Sequence, residues 1–133
     1  MIEKITKIIC EGEYVSEKVV FNKTREIKII YARQLIQYFC YEFQTGTYKY
    51  IGEQTGGKNH ATVIHSRKVI KNYIDTDKVK AEKINLYRKK IKENLIITHE
   101  QGLEVINKLI DRLEKEMNLA KKKLSEYQNI YQN

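Results

Sequence analysis

Residues 56–68 read Gly-Gly-Lys-Asn-His-Ala-Thr-Val-Ile-His-Ser-Arg-Lys, a glycine turn followed by an unusually polar helix start. Two glycines interrupt the chain, and a cation, an amide and an imidazole come directly after them. Thr47 is a good helix cap, so a short helix over residues 48–54 is expected before the turn. A short helix, a tight turn and a second helix together predict a helix-turn-helix.

The polar groups after the turn suit contact with a nucleic acid. A helix N-terminus offers free N–H groups and the positive end of the helix dipole, and both attract phosphate. The second, recognition helix is predicted over residues 58–73. At 100° per residue, its outward row contains Lys58, Ala61, His65, Lys68 and Asn72. Its inward face contains Val63, Ile70 and Ile74. The alternative is an ordinary corner between two helices.

The composition predicts an all-α chain. Its 133 residues suit one compact domain, or a small domain with an appendage. Proline is absent and glycine occurs only six times, so long helices meet few breakers. Cys10 and Cys40 show neither CxxC spacing nor a disulfide framework, which favours a reducing, cytoplasmic location. No stretch is apolar for long enough to span a bilayer, and no signal peptide opens the chain.

The positive charge is concentrated in one part of the chain. Residues 58–92 carry eleven Lys/Arg and three Asp/Glu, whereas residues 1–57 have a balance of +1 and residues 93–133 a balance of −1. The whole net charge of +8 therefore belongs to the stretch that begins near the glycine turn. Such a segment favours a polyanionic partner, nucleic acid first and an acidic membrane surface second. A solvated, lysine-rich helix face is the plain alternative.

Hydrophobic spacing predicts further helices before the motif. Residues 1–10 have isoleucines at helical spacing, and Gly12 is expected to end that helix. Ser16 is expected to cap a short helix that ends near Phe21. Residues 22–28 form a polar, basic connection, and residues 29–43 are dense in apolar side chains. This pattern predicts a basic loop followed by a central, buried helix.

The last part of the chain has a different pattern. One stripe of residues 77–97 contains Ile84, Tyr87, Ile91 and Leu95. Thr98 with Gln101 resembles a capping box, which predicts the start of a new helix. Beyond it, apolar residues recur at spacings of three and four, at positions 103, 106, 110, 113, 117, 120, 124, 127 and 131. This heptad pattern is typical of a coiled-coil seam.

Two arrangements of the heptad segment remain open. The first is a homodimer through residues 98–131, which we favour because two linked DNA-binding domains would bind two half-sites together. The second is an antiparallel pair within one chain, in which residues 103–131 fold back on residues 77–97. Both agree with an all-α helix-turn-helix domain followed by a long helical hairpin or coiled coil.

The motif also resembles a known family. Residues 51–70, Ile-Gly-Glu-Gln-Thr-Gly-Gly-Lys-Asn-His-Ala-Thr-Val-Ile-His-Ser-Arg-Lys-Val-Ile, resemble the C-terminal DNA-binding domain of the bacterial replication initiator DnaA. The resemblance extends upstream to Ala32-Arg33-Gln34 and to the basic loop around Lys23 and Arg25. It implies a Trp-repressor-like helix-turn-helix domain over residues 1–75, bound to double-stranded DNA. Residues 76–133 would add a basic helix and the heptad-patterned helix.

The resemblance implies roles for individual residues. Contacts with phosphate or the DNA backbone are implied for Arg33, Gln34, Lys58 and Thr62. The base-reading positions are Asn59, His60 and Ala61, and Arg25 is implied in the minor groove. His65 and Lys68 complete the expected DNA-binding set, as contacts with phosphates or at the rim of the interface. The plainer alternatives are His60 as a helix cap and Arg25 as a solvated loop charge.

Three residues depart from the family pattern. Asn59 stands where Asp is usual, Ala61 where Thr is usual, and Thr55 where an apolar residue is usual. Because the first two are base-reading positions, we expect a target that differs from the initiator's own recognition box. The chain has no GxxxxGK[ST] loop, so a complete initiator with an ATPase domain is not expected.

These observations predict a sequence-specific double-stranded DNA-binding protein, either a regulator or a phage or mobile-element replication-associated factor. The alternative is a coiled-coil adaptor in which the helix-turn-helix is only a structural core. An enzyme is not expected, because no paired carboxylates or nucleophile–base pair stand out. His60 and His65 lie about 140° apart around the helix, so they cannot share a metal ion. We expect no cofactor, no small-molecule substrate and no membrane partner.

Overall fold

The computed structural model of the chain describes residues 1–132, and the side chains of all of these except residues 96–98, 131 and 132. This part of the chain is all-α, as predicted. Its five helices are α1 (Ile2–Glu13), α2 (Ile27–Glu42), α3 (Tyr48–Gln54), α4 (His60–Thr76) and α5 (Lys78–Gln132).

The core is built around α2, the central helix. Apolar side chains lie on most sides of α2, so other helices must cover it. Its residues Leu35, Ile36 and Phe39 are fully buried, which confirms the predicted buried helix. α1 and α4 pack on α2, and α3 packs against both α2 and α4. α2 is therefore the element that holds the two helices of the helix-turn-helix in place.

The first part of α5 also belongs to this core. Ile84, Tyr87 and Ile91 are buried in it. The Tyr87 hydroxyl donates to a carboxylate oxygen of Glu13, and Lys83 Nζ forms an ion pair with the same carboxylate at 2.6 Å. These contacts attach the start of α5 to the end of α1.

A second attachment joins α5 to the end of α2. Arg88 Nε donates to both carboxylate oxygens of Glu42, at 3.1 and 3.0 Å. Arg88 Nη2 donates to the Tyr38 hydroxyl at 3.1 Å. Because this guanidinium is partly shielded from water, the contacts hold α5 more firmly than a fully exposed ion pair would.

The packing divides the chain into two compact units, Met1–Glu93 and Asn94–Asn133. The first unit extends beyond residue 75, where the sequence suggested the end of the DNA-binding domain, because α5 contributes Ile84, Tyr87 and Ile91 to the core. The functional boundary at residue 75 stays a prediction.

The end of α1 differs from the prediction. Gly12 does not end the helix, which continues to Glu13 and is closed by Tyr14 in the left-handed conformation, with φ of 57°. Gly12 instead leaves room for the ring of Tyr87, which a Cβ at this position would hit. Its role is close packing between α1 and α5 rather than helix termination.

The helix expected over residues 16–21 is also not found. The N–H groups of Val19 and Val20 both donate to the carbonyl of Ser16, and the segment forms turns. The carbonyls of Val20 and Asn22 accept hydrogen bonds from the side chain of Arg33. A long-range partner from α2 therefore replaces the next helical turn.

The prediction of a new helix at Thr98 was wrong, because α5 is continuous through this position. The predicted side-chain cap at Thr98 lies outside the described residues. The antiparallel fold-back of residues 103–131 needs a turn, and α5 has none between Lys78 and Gln132. Within the second unit, the described seam residues are all exposed in the single chain: Leu103, Ile106, Ile110, Leu113, Met117, Ala120, Leu124 and Tyr127.

Candidate nucleic-acid interface

The turn between α3 and α4 is made by close backbone contacts. The N–H of Lys58 donates to the carbonyl of Gly52 at 2.8 Å, and a Cβ at Gly52 would collide with the Lys58 carbonyl oxygen. Gly56 and Gly57 have positive φ values of 99° and 67°, which residues with a Cβ rarely adopt. These glycines allow α4 to follow α3 after a tight turn, so the predicted helix-turn-helix is confirmed.

The start of α4 is capped by Asn59. The Asn59 Oδ1 atom accepts a hydrogen bond from the Thr62 N–H at 3.1 Å and another from the Thr62 hydroxyl at 3.3 Å. Asn is one of the best residues for this position, because its oxygen satisfies a backbone donor that the helix leaves free. The cap uses the carboxamide oxygen and leaves the NH2 group outside it. The alternative of His60 as the cap is wrong, because His60 is the first residue of α4.

The row of α4 that was predicted to face outward is exposed. Ala61, His65, Lys68 and Asn72 are exposed, and Lys58 in the turn is half-buried. On the inward face, Val63 and Ile70 are fully buried and Ile74 is partly buried. Outside this row, His60 is exposed and Thr62 is half-buried. α4 therefore presents polar and basic groups outward along about three turns.

Two further predicted contact residues lie on α2. Arg33 Nε donates to the carbonyl of Val20 at 2.9 Å, and Arg33 Nη2 donates to the carbonyl of Asn22 at 2.5 Å. Burial lowers the pKa of the Arg33 guanidinium, which nevertheless stays protonated at neutral pH. Gln34 is half-buried beside it. Arg33 thus holds the preceding segment against α2, and its remaining N–H groups are those that could reach a phosphate.

The basic loop before α2 is fixed at both ends. Asn22 is held by Arg33, and the Glu26 N–H donates to the Thr24 hydroxyl at 3.1 Å. Between these points Lys23 and Arg25 are exposed. The loop is shorter than the predicted residues 22–28, because α2 begins at Ile27 and carries the exposed Lys28. Arg25 therefore extends from a short loop whose ends belong to the folded unit.

Sequence reasoning missed a cluster around Arg67. The Arg67 guanidinium carbon lies 4.3 Å from the ring centre of Tyr41, and Arg67 Nη1 donates to the Tyr48 hydroxyl at 2.6 Å. The rings of Tyr41 and Tyr48 stack 4.1 Å apart. Arg67, one of the cations of residues 58–92, therefore contacts other side chains of the protein through its guanidinium group. No sequence spacing indicates this cluster, because its members come from three separate elements.

A second missed feature is a set of three buried polar side chains. Gln37 of α2, Thr55 at the end of α3 and Ser66 of α4 are almost completely buried, and Gln37 is hydrogen-bonded to each of the other two. The contact explains why Thr55 is tolerated where an apolar residue was expected. The available sequence signal was a glutamine within the otherwise apolar middle of α2.

Other kinds of site have little support in residues 1–132. No group of three His, Cys, Asp or Glu side chains among the described ones could hold a metal ion. Burial raises the pKa of the Cys10 thiol to about 11 and that of Cys40 to about 12. Both are neutral near pH 7, so neither is a reactive thiolate. Over the same range, no helix is long and apolar enough to cross a membrane.

Comparison with known proteins agrees with this geometry. Residues 2–70 match the family described as bacterial dnaA protein helix-turn-helix. The chromosomal replication initiator protein DnaA of Spiroplasma citri is 34% identical over 89 residues, which cover 67% of this chain and 20% of that protein. The DnaA protein of Wolbachia sp. subsp. Brugia malayi is 36% identical over 91 residues, covering 68% of this chain and 20% of its own length. For Flavobacterium psychrophilum DnaA, the identity is 34% over 77 residues, or 58% of this chain and 16% of the relative.

The chain thus spans a fifth or less of the length of these relatives. The family match extends from the start of α1 to Ile70 in α4. It therefore includes the whole glycine turn and the first part of the second helix. It covers more than half of the chain, and the helix-turn-helix indicates DNA binding. The chain therefore belongs to the bacterial DnaA helix-turn-helix family.

Proposed function

We propose that this protein binds double-stranded DNA in a sequence-specific way, with α4 in the major groove and the basic segment 22–28, the loop before α2 with the first two residues of α2, in the adjacent minor groove. The observation that carries the proposal is the exposed row of α4, which begins directly after the glycine turn. In a helix-turn-helix the N-terminal residues of the second helix contact base edges, while phosphate contacts set its register.

Individual contacts follow from the residue types. Lys58, Lys68 and His65 would contact phosphates, together with the hydroxyl of Thr62. The NH2 group of Asn59 and the methyl group of Ala61 would lie over bases. A carboxamide suits adenine, and a methyl group suits the methyl of thymine.

Further contacts come from α2 and from the loop before it. Arg33 and Gln34 of α2 would hold the DNA backbone, Arg33 through the N–H groups that Val20 and Asn22 do not use. Arg25 would enter the minor groove, where narrow, A·T-rich segments attract arginine. His60, exposed at the first position of α4, would lie against a base or a thymine methyl.

The biological role we favour is that of a cytoplasmic regulator, or of a phage or mobile-element replication-associated factor. This role is supported by Asn59 and Ala61, which differ from the residues usual in the family. These two differences would give a DNA target different from the initiator's recognition box. The relatives carry the name of chromosomal replication initiator, but the chain matches only their C-terminal fifth. No catalytic role is proposed for the described residues.

We also propose that the chain forms a homodimer through residues 98–131. The described apolar heptad residues of this part of α5, from Leu103 to Tyr127, are exposed in the single chain, and an exposed seam with heptad spacing is covered in a coiled coil. A dimer would present two copies of α4 to two half-sites. The competing function is a coiled-coil adaptor, in which the helix-turn-helix would bind nothing.

A salt titration tests DNA binding. With about five phosphate contacts, log K should fall with log salt at a slope of roughly −4 to −5. Lys68→Gln should reduce the magnitude of this slope by about 1, because it removes one phosphate contact. Lys122→Gln, an exposed lysine of the second unit, is the matched control and should leave the slope unchanged. Fluorescence anisotropy with a duplex selected from a random pool provides the measurement.

The result can also favour the adaptor. A chain whose affinity for duplex DNA is undetectable at low salt, or does not change with salt, does not use α4 as proposed. Equal slopes for the wild-type chain and Lys68→Gln would remove Lys68 from the contact set while leaving DNA binding itself intact.

A further inference from the structure

The two helices of the helix-turn-helix are joined by a buried polar connection through α2. Gln37 and Thr55 are fully buried, and Ser66 is 2% exposed. Gln37 Nε2 donates to the Thr55 hydroxyl at 3.0 Å, and the Ser66 hydroxyl donates to Gln37 Oε1 at 2.5 Å. A single carboxamide therefore contacts the end of α3 with one of its groups and the middle of α4 with the other.

Both hydroxyl groups also have a local backbone partner. Thr55 Oγ1 lies 2.7 Å from the carbonyl of Ile51, and Ser66 Oγ lies 3.1 Å from the carbonyl of Thr62. These are contacts within a helix, and they would remain if Gln37 were replaced. The hydrogen bonds to Gln37 connect different helices, so they constrain how α2, α3 and α4 are placed relative to one another.

Stability alone does not account for this arrangement. A buried hydrogen-bonded group and an apolar group of the same shape contribute similarly to folding, and the surrounding core of α2 is apolar. Hydrogen bonds are directional, whereas apolar packing tolerates small rotations. A carboxamide that is hydrogen-bonded at both ends restricts the rotation of α4 about its own axis, and Ser66 lies about 140° around α4 from the exposed Ala61.

The position of Gln37 on α2 adds a second constraint. Gln37 follows Arg33 and Gln34 by about one helical turn, so the same helix carries the proposed backbone contacts and the connection to α4. A rotation of α4 relative to α2 would bring the base contacts out of register with these backbone contacts.

We infer that Gln37 is a positioning residue for DNA recognition: through Thr55 and Ser66 it sets the orientation of α4 relative to α3 and to the DNA-facing residues of α2. The inference rests on the proposed function, since it assumes that α4 contacts bases. Gln37 itself touches no DNA. Its effect is on the ratio between specific and non-specific affinity, because non-specific binding depends on phosphates and not on the register over bases.

The main test removes the whole polar connection without leaving an unpaired group. The full-length triple variant Gln37→Leu, Thr55→Val, Ser66→Ala has an apolar set of similar size. Affinities are measured for two probes, the duplex selected by the wild-type chain and a shuffled duplex of the same composition. We expect a melting temperature near or above that of the wild-type chain, unchanged affinity for the shuffled duplex, and a specificity ratio reduced about tenfold.

A matched pair of single variants keeps the test decisive if the triple variant does not fold. Thr55→Val keeps the shape of the side chain and removes its hydroxyl group, and Thr55→Ser keeps the hydroxyl. The specificity ratio should fall in the first and stay near the wild-type value in the second, when both are compared at temperatures where they are fully folded.

The outcomes are distinguishable. A specificity ratio within about twofold of the wild-type value in the folded triple variant, or in Thr55→Val, overturns the positioning role. An equal loss of affinity for both probes also overturns it, since general destabilisation would explain that result. If the wild-type chain shows no preference for any duplex, the proposed function fails first, and the inference fails with it.

Discussion

Asn59 combines an observed structural role with a proposed role in DNA recognition. Its Oδ1 atom is used to cap α4 through the Thr62 N–H and hydroxyl, and its NH2 group is the part that could contact a base. An Asp at this position would keep the cap and lose the donors. The departure from the family's usual Asp therefore leaves the helix start unchanged and alters the chemistry offered to DNA.

Substitutions at Asn59 separate the two roles. Asn59→Ala should lower the free energy of unfolding by about 1 kcal/mol, because it removes the cap. Asn59→Asp should keep that stability and move the base preference toward cytosine at one position, by about 1–3 kcal/mol, because a carboxylate accepts from cytosine N4. Chemical denaturation measures the first effect, and selection from random duplexes measures the second. If both variants select the wild-type sequence, Asn59 is a cap and not a base contact.

At the scale of the helix, α5 has two different parts. Its first part carries the buried Ile84, Tyr87 and Ile91 and is attached through Glu13 and Glu42. Its later part exposes its apolar seam. The charged surface of residues 78–92 thus belongs to a segment that the first unit needs for its core, so the basic residues there are carried by a well-packed helix.

Two apolar residues of α5 provide a matched pair that tests this packing. Ile84 is fully buried, whereas Leu86, two residues further, is 60% exposed. Ile84→Ala should lower the free energy of unfolding by about 2–5 kcal/mol, because it leaves a cavity. Leu86→Ala should change it by no more than about 0.5 kcal/mol. Urea denaturation followed by circular dichroism gives both values; similar small effects would show that the start of α5 is not part of the cooperative core.

For the whole molecule, the seam in the second unit decides the state of assembly. The residue Ile110 belongs to this seam, and Val105 is exposed on another side of α5. Ile110→Lys should convert a dimer into a monomer, because a charge at a seam position is poorly covered. Val105→Lys should leave the dimer intact. Light scattering at tens of micromolar makes the comparison, and a wild-type mass of 15.8 kDa, that of one chain, would contradict the dimer.

Much of the fold and of the candidate site followed from local patterns. The glycine turn, the outward row of α4 and the cap of α3, where the Thr47 hydroxyl accepts from the Tyr50 N–H at 3.1 Å, depend on residues close together in sequence. Spacing was therefore enough to predict them. The buried α2 followed from its density of apolar residues. The helix-turn-helix and the set of exposed positions on α4 were therefore determined by the sequence itself.

Long-range contacts decided the rest. From its neighbours in sequence, Gly12 was predicted to end α1. In the structure it instead leaves room for the ring of Tyr87, a residue far along the chain. Arg33 was predicted only as a DNA contact, but its guanidinium also donates hydrogen bonds to the carbonyls of Val20 and Asn22. The partners of Gln37 were hidden in the same way, because a single sequence shows a glutamine in an apolar stretch and not which distant groups that glutamine contacts. Only the tertiary structure shows these pairings, since each depends on packing energy that exceeds the local preference.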